Sequence, residues 1–265
     1  MSGPEVSVAG HFGEWLQGRI GPEGPVALVP LPCAALRVDT PGPTPPPFSE
    51  AQLTAFARAL GLCPAGTGSR RQMPVGGGAG ASTATLVALA QVWGFRGPPE
   101  ALAAACIAVE GASDPLMFPR PDRLLWASRA GRVLRPLAPP PPCAIVGGFF
   151  GAAERTDPDD SDFDDITDLV ADWAAATEAG DLRRIAALAS TSAARCTARR
   201  GPAADPTADL ARAQGALGWL RAHTGAARGL IFAPGTVPAG AVQALAEAGF
   251  RQRITFPAGG AWVLP

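Results

Sequence analysis

Apolar and polar positions alternate first in VSVAG, then in VALVPL and ALRVDT. Period-two alternation of this kind predicts strands with one face on a core and one toward solvent. PGPTPPP, residues 41–47, is expected to be a stiff surface loop. Apolar residues then recur at helical spacing in SEAQLTAFARALGL, where Ser49 is placed to cap the first turn. SRRQMPV is one short strand that runs into a glycine-rich loop. ASTATLVALAQVWG follows as a helix ended by Gly94. PPEALAAACIAVEGASD is a second helix, opened by proline and broken at Gly111. DRLLWASRAGRVLRPL alternates like a hairpin with its turn at AGR.

APPPPC, residues 138–143, is the best candidate boundary. It divides the chain into an N-terminal domain, 1–138, and a C-terminal α+β domain, 139–265. Beyond it, CAIVGGFFG reads as a buried strand. The acidic run DPDDSDFDDITD, 157–168, leads into a helix, as suits the positive pole of a helix N-terminus. DLRRIAALASTSAARC and TADLARAQGALGWLRAHTG both carry helical spacing. ARGLIFAPG is a strand, VPAGAVQALAEAG a helix, and RQRITFPAGGAWVLP one or two closing strands. Antiparallel strands mixed with helices predict an α+β fold.

Composition changes the picture mainly by exclusion. The 265 residues are 47% hydrophobic and 17% charged, enough for a sizeable core. A formal net charge of −1 gives no nucleic-acid or anionic-membrane surface. No apolar run approaches a membrane span, and MSGPEVSVAG lacks the basic then apolar order of a signal peptide. The five scattered cysteines point to reduced thiols and a cytoplasmic location. The chain has no lysine, tyrosine or asparagine, and its only histidines are His11 and His223. A Walker A lysine, Schiff-base chemistry and a histidine-rich metal site are therefore excluded. The six tryptophans are dispersed and read as core.

The glycine-rich loop carries the first chemistry. MPVGGGAGASTATLVALA places four glycines within five residues directly before a helix. Glycine there is entropically costly, so either the backbone turns tightly or something approaches it closely. Unpaired amides at a helix start carry partial positive charge, and a glycine approach lets phosphate oxygens reach them. Tight strand–helix packing explains the same residues equally well. The loop lacks the lysine of a P-loop and the context of a dinucleotide fingerprint.

Pro74 to Ala84, PVGGGAGASTA, resembles the phosphate loop of the GHMP small-molecule kinases, such as galactokinase, homoserine kinase and mevalonate kinase. Gly78 and Gly80 match its glycines and Ser82 its second serine, while Ala79 and Ala81 replace Leu and Ser. GEWLQG, Gly13 to Gly18, follows the first strand and resembles a signature of the bacterial L-threonine kinase branch, which serves cobalamin side-chain synthesis. VEGASDPLMF, Val109 to Phe118, stands where that branch closes the helix after the loop, and Gly259–Gly260 match a late glycine pair. His11–Phe12 stand where that branch has Ser-Cys, and Asp114 lies one residue further from Glu110.

The resemblance implies two lobes, an N-terminal half like ribosomal protein S5 domain 2 and a ferredoxin-like C-terminal half, with ATP between them. It implies a transferase that uses ATP and Mg²⁺ to phosphorylate a small-molecule hydroxyl. L-Threonine is the first choice, and homoserine or an amino alcohol the alternative. A nucleotide- or metabolite-binding protein without catalysis is the rival of another class. The nucleotide site would comprise Pro74, Gly76, Gly77, Gly78, Ala79, Gly80, Ala81, Ser82 and Thr83. Ser82 and Glu110 would hold the metal, since Mg²⁺ takes hard oxygen ligands. Asp114 would be a general base or a substrate-amine anchor, and Glu14, Gln17 and Gly18 would bind the acceptor.

Each position also has a plainer reading. Glu110 is a solvated helix cap, Asp114 a turn residue before proline, and Gly18 part of a turn. His11 is expected at a surface or strand end, and His223 as a cation late in a helix. Thr191 and Ser192 are further candidates for substrate contact across the cleft. The acidic run lacks EF-hand spacing and reads as a solvated loop. The expected partner is a small molecule, not nucleic acid or membrane, with a homodimer left open.

Overall fold

The computed structural model describes residues 5–154, 157, 159, 160 and 162–260. The chain opens with two long antiparallel strands, β1 (Val6–Arg19) and β2 (Val26–Thr44). GEWLQG is therefore part of β1 and does not follow it. VALVPL and ALRVDT belong to the single strand β2, which absorbs the start of the expected proline loop. Alternation hid this because β1 is buried continuously from Val8 to Gln17. A strand covered on both faces shows no inside–outside pattern. Register shifts near Gly10 and between His11 and Glu14 let it carry polar residues through the core.

The helices follow the spacing more closely. Helix α1 (Glu50–Ala59) starts at Ser49, whose hydroxyl accepts from the Gln52 amide while the Gln52 side chain returns to the Ser49 amide. This capping box contributes about 1 kcal/mol. After β3 (Ser69–Arg71), α2 (Ala81–Val92) and α3 (Pro99–Glu110) form as expected. Helix α2 is apolar nearly all round and buried from Thr83 to Ala90, which marks a central core helix. Gly111 ends α3 in the left-handed conformation, φ 73°. The hairpin β4 (Leu124–Ala127) and β5 (Arg132–Pro136) forms where it was expected.

The second half contains β6 (Cys143–Phe149), α4 (Thr167–Ala179), α5 (Leu182–Arg200), α6 (Thr207–Ala213), β7 (Gly218–Arg221), β8 (Ala227–Phe232), α7 (Ala241–Glu247) and β9 (Arg251–Ala258). The helix expected across TADLARAQGALGWLRAHTG stops at Ala213, and GWLR is strand β7. All four of its residues are buried, Arg221 included, so it too has no alternation to read. A further closing strand at AWVLP, with Trp262, falls outside the described residues.

Nine strands form one antiparallel sheet in the order β5-β4-β2-β1-β7-β8-β6-β9, with β3 on β2. Its two groups of strands meet where Glu14 of β1 faces Arg221 of β7. Phe12 sits edge-on to Phe149 and Phe256, and Trp15 packs on Trp173 of α4, so β1 ties the core together from both sides. The five cysteines are free. Among the described residues no helix is long and apolar enough to cross a membrane.

Candidate active site

The glycine loop joins β3 to α2. Gly76, Gly78 and Gly80 all have positive φ, 75°, 73° and 69°. A Cβ on Gly78 would stand 2.2 Å from the Ala222 Cβ, and one on Gly80 would stand 2.7 Å from the His11 ring. The protein's own packing therefore demands glycine at both positions. The loop carbonyls turn inward: Ala79 O accepts from His11 N at 3.1 Å, Gly78 O from Gly13 N at 3.2 Å, and Gly77 O from Ala226 N and Ala227 N at 3.0 and 2.9 Å. Gly80, the N-cap of α2, offers no side-chain cap. Among the described residues no side chain caps the first turn of α2, and Ala81, Ser82 and Thr83 of that turn line a cavity of about 310 Å³.

Ser82 stands on that first turn. Its hydroxyl donates to the Glu110 carboxylate at the end of α3. Thr83 Oγ1 lies 3.5 Å from the other Glu110 oxygen and accepts from the Asp114 amide at 3.4 Å. The segment carrying Asp114 is fixed from behind, because Ser113 N donates to Ser128 O at 2.8 Å and Trp126 Nε1 donates to Ser113 O at 2.6 Å. Gly76, Gly78, Ala79, Gly80, Ala81, Ser82, Thr83, Glu110, Asp114 and Glu14 all line the one cavity.

Both histidines line it too. His11 is 2% exposed, not at a surface or strand end. Its Nε2 lies 3.2 Å from Asp114 Oδ2 and its Nδ1 lies 3.6 Å from Glu14 Oε1. Burial opposes a charged imidazole, but the facing carboxylates, Asp114 foremost, outweigh it and push the pKa up to about 9. Burial also works against the Asp114 anion, yet the His11 charge holds its carboxyl below the usual range. For Glu14, burial dominates and raises the carboxyl to about 7.

His223 does not end a helix. It follows β7, is 7% exposed, and its amide donates to Glu14 Oε2 at 2.6 Å. Its ring stacks on Phe163 at 4.3 Å. Burial, reinforced by Arg200 and Arg129, pushes this pKa down to about 3. The signal that could have found both rings is scarcity: a chain with two histidines places both in one cavity.

Other expected contacts lie elsewhere. Gln17 donates to Arg221 O at 3.0 Å, and its amide donates to Ser192 Oγ at 2.9 Å. A Cβ on Gly18 would lie 2.5 Å from Asp164 O. These two residues stitch β1 to α5 and to the acidic run, and neither lines the cavity. Pro74 and Gly77 also stand behind the loop, joined by Gly77 N to Pro74 O at 3.2 Å. Thr191 is exposed and bonds back to Ala187 O. The acidic run is clamped by arginines of α5: Arg199 pairs with Asp162 and Asp164, Arg200 with Asp160, and Arg195 with Asp168.

This α+β architecture is shared with solved structures of small-molecule kinases. The chain superposes on mevalonate kinase from methicillin-resistant Staphylococcus aureus with a TM-score of 0.64 at 14% identity, covering 98% of this chain and 100% of that one. It superposes on a putative homoserine kinase from Listeria monocytogenes with a TM-score of 0.62 at 16% identity, covering 98% and 97%. Mevalonate kinase from Methanococcus jannaschii gives 0.59 at 10% identity, covering 97% and 98%. No family model matches the sequence, and no curated protein matches it. At these identities the likeness establishes the fold alone.

Proposed function

We propose that the protein is an ATP- and Mg²⁺-dependent kinase that phosphorylates a small hydroxyl-bearing metabolite, with L-threonine first and homoserine or an amino alcohol as the alternative. One observation carries the reading: Ser82 at the uncapped start of α2 meets Glu110 and Asp114, about 30 positions further along, inside one cavity. The amides of α2 would receive the β- and γ-phosphates. Ser82 Oγ and the Glu110 carboxylate are hard oxygen donors already in contact, which suits Mg²⁺. The metal would supply charge neutralisation on the transferring phosphoryl group.

Asp114, kept ionised by His11, would face the acceptor hydroxyl. As that oxygen bonds to the γ-phosphorus and the bond to ADP breaks, Asp114 takes the hydroxyl proton. If Asp114 instead anchors a substrate ammonium, the proton leaves to solvent, which a loose transition state tolerates. The choice of L-threonine, and with it O-phospho-L-threonine for cobalamin synthesis, rests on the GEWLQG resemblance. Homoserine gains from the fold shared with the Listeria protein. The division at residue 138 and a cytoplasmic location belong to the same reading.

The test is ADP release across hydroxy-amino acids and amino alcohols, beside thermal melting with ATP and Mg²⁺. Nucleotide raises the melting temperature, as a native-state ligand must. Ser82→Ala and Glu110→Gln lower turnover at least about 100-fold while the melting temperature without ligand holds. No melting shift at millimolar nucleotide defeats both the kinase and a non-catalytic nucleotide-binding protein. Turnover retained in both variants removes the metal-site assignment.

A further inference from the structure

Two buried nitrogens on residues that line this cavity have no use in the scheme above. His223 Nδ1 and Arg129 Nε are both shielded from solvent, and neither has a hydrogen-bond partner among the described residues. Both side chains line the cavity. Both also pack on one ring: His223 stacks on Phe163 at 4.3 Å, and the Arg129 guanidinium lies 5.4 Å from its centre. Buried polar groups are normally paired, and two orphans on neighbouring residues of a cavity wall call for a ligand.

We infer that Arg129 and His223 form the seat for a carboxylate on the acceptor, which makes the substrate a hydroxy acid and not a simple alcohol; the inference rests on the kinase reading. The two terminal nitrogens of Arg129 hold the carbonyls of Asp157 and Asp160, the former at 2.8 Å. These bonds fix the guanidinium, and Nε is its one nitrogen with no partner among the described residues. The Asp160 carboxylate is itself paired with Arg200, so its charge is engaged elsewhere. Arg200 also covers Phe163, 4.1 Å from the ring centre, and braces the platform from outside the cavity wall.

An anion in this cavity could come from the nucleotide or from the acceptor. The backbone amides of α2 already suit the phosphates. The seat adjoins the other pole, because the His223 amide is bonded to Glu14, which also faces His11. A cation–anion pair of sites so close matches a zwitterion, whose ammonium would turn toward Glu14 and whose carboxylate would turn toward Arg129.

The experiment is calorimetric binding to the full chain in the presence of a non-hydrolysable ATP analogue. The probes are L-threonine, L-serine, L-homoserine and 3-hydroxybutyrate, each beside its carboxylate-free alcohol. At least one acid binds the native protein about tenfold or more tighter than its alcohol. Arg129→Gln removes that preference, leaves the alcohols within about twofold, and leaves the affinity for the ATP analogue unchanged. His223→Gln gives the same pattern more weakly, and covers the case in which the arginine variant fails to fold. The inference is overturned if no acid binds, if acids and alcohols bind alike, or if Arg129→Gln weakens the analogue instead, which would make this a phosphate seat. Failure of the kinase reading looks different: an acid binds, and no ADP is released.

Discussion

His11 and His223 are buried to nearly the same degree in the same cavity, yet one is held charged at neutral pH and the other neutral. Burial penalises the imidazolium in both. The sign of the neighbours decides the outcome. His11 looks at Glu14 of β1 and at Asp114 in the segment after α3, whereas His223 sits beside Arg200 and Arg129 behind Phe163. The cavity is thereby polarised, with a carboxylate pole at β1 and a guanidinium pole at the β4–β5 turn. The phosphate-suited amides of α2 belong to neither pole, which leaves both for the acceptor.

The strongest way to break the contrast is Asp114→Asn. It removes the main counter-charge of His11, so the ring loses its proton near neutrality and the two histidines become alike. Turnover falls about 100-fold to 10,000-fold if Asp114 is the base, read as kcat for ADP release. Imidazole nitrogen shifts by NMR report the His11 state. A ring still protonated at pH 8 would transfer its control to Glu14.

Glu14→Gln is the smaller perturbation. Its carboxylate is the more distant partner at 3.6 Å and its own pKa stands near 7, so His11 keeps its proton at neutral pH. The native protein holds a proton on Glu14 that the unfolded chain gives up above about 4.5, so this group costs stability as pH rises toward 7. Without that opposing contribution the stability of the variant rises from pH 5 to pH 7, where the native protein is nearly flat, and chemical denaturation at the two pH values measures the difference. An unchanged slope between those points rejects the assignment.

The smallest expected effect is the pH profile of the native protein. His11 contributes stability that is complete below about 6.5 and is lost as pH rises through about 9. His223 acts in the opposite direction. Below about 6.5 the unfolded chain takes a proton that native His223 refuses until about pH 3, so stability falls on acidification. Between pH 5 and 7 His223 and Glu14 oppose each other, and the melting temperature is nearly flat there. It declines from pH 7 to 9, and His11→Gln abolishes that decline. A profile flat to pH 9 in the native protein would mean that His11 is not charged.

The parts of the site that were legible in the sequence share one property: their geometry is local. A glycine loop, a helix start with Ser82, and a helix end with Glu110 followed by Asp114 each leave a pattern over a few residues. The helices were readable for the same reason, with Ser49, Gly111 and the apolar spacing marking their ends. What stayed hidden depends on long-range burial. β1 and β7 are covered on both faces, so neither His11 within β1 nor His223 just beyond β7 stands in an alternating pattern that would place it. Gln17 and Gly18 sit inside a recognisable motif, yet their partners are Arg221, Ser192 and Asp164, between 146 and 204 positions away. No short pattern encodes such a meeting.

Gly78 fits against Ala222 and Thr224 with no room for even one carbon between them. Two segments separated by more than half the chain are thus moulded to each other like a cast and its impression. A substitution at Gly78 meets both this contact and a backbone at φ 73°, so the glycine is doubly constrained, while the turn after β7 is constrained by the contact. Variant libraries that randomise the loop alone will recover little besides the starting sequence, whereas libraries that vary the turn after β7 in concert can reach new shapes of the binding chamber.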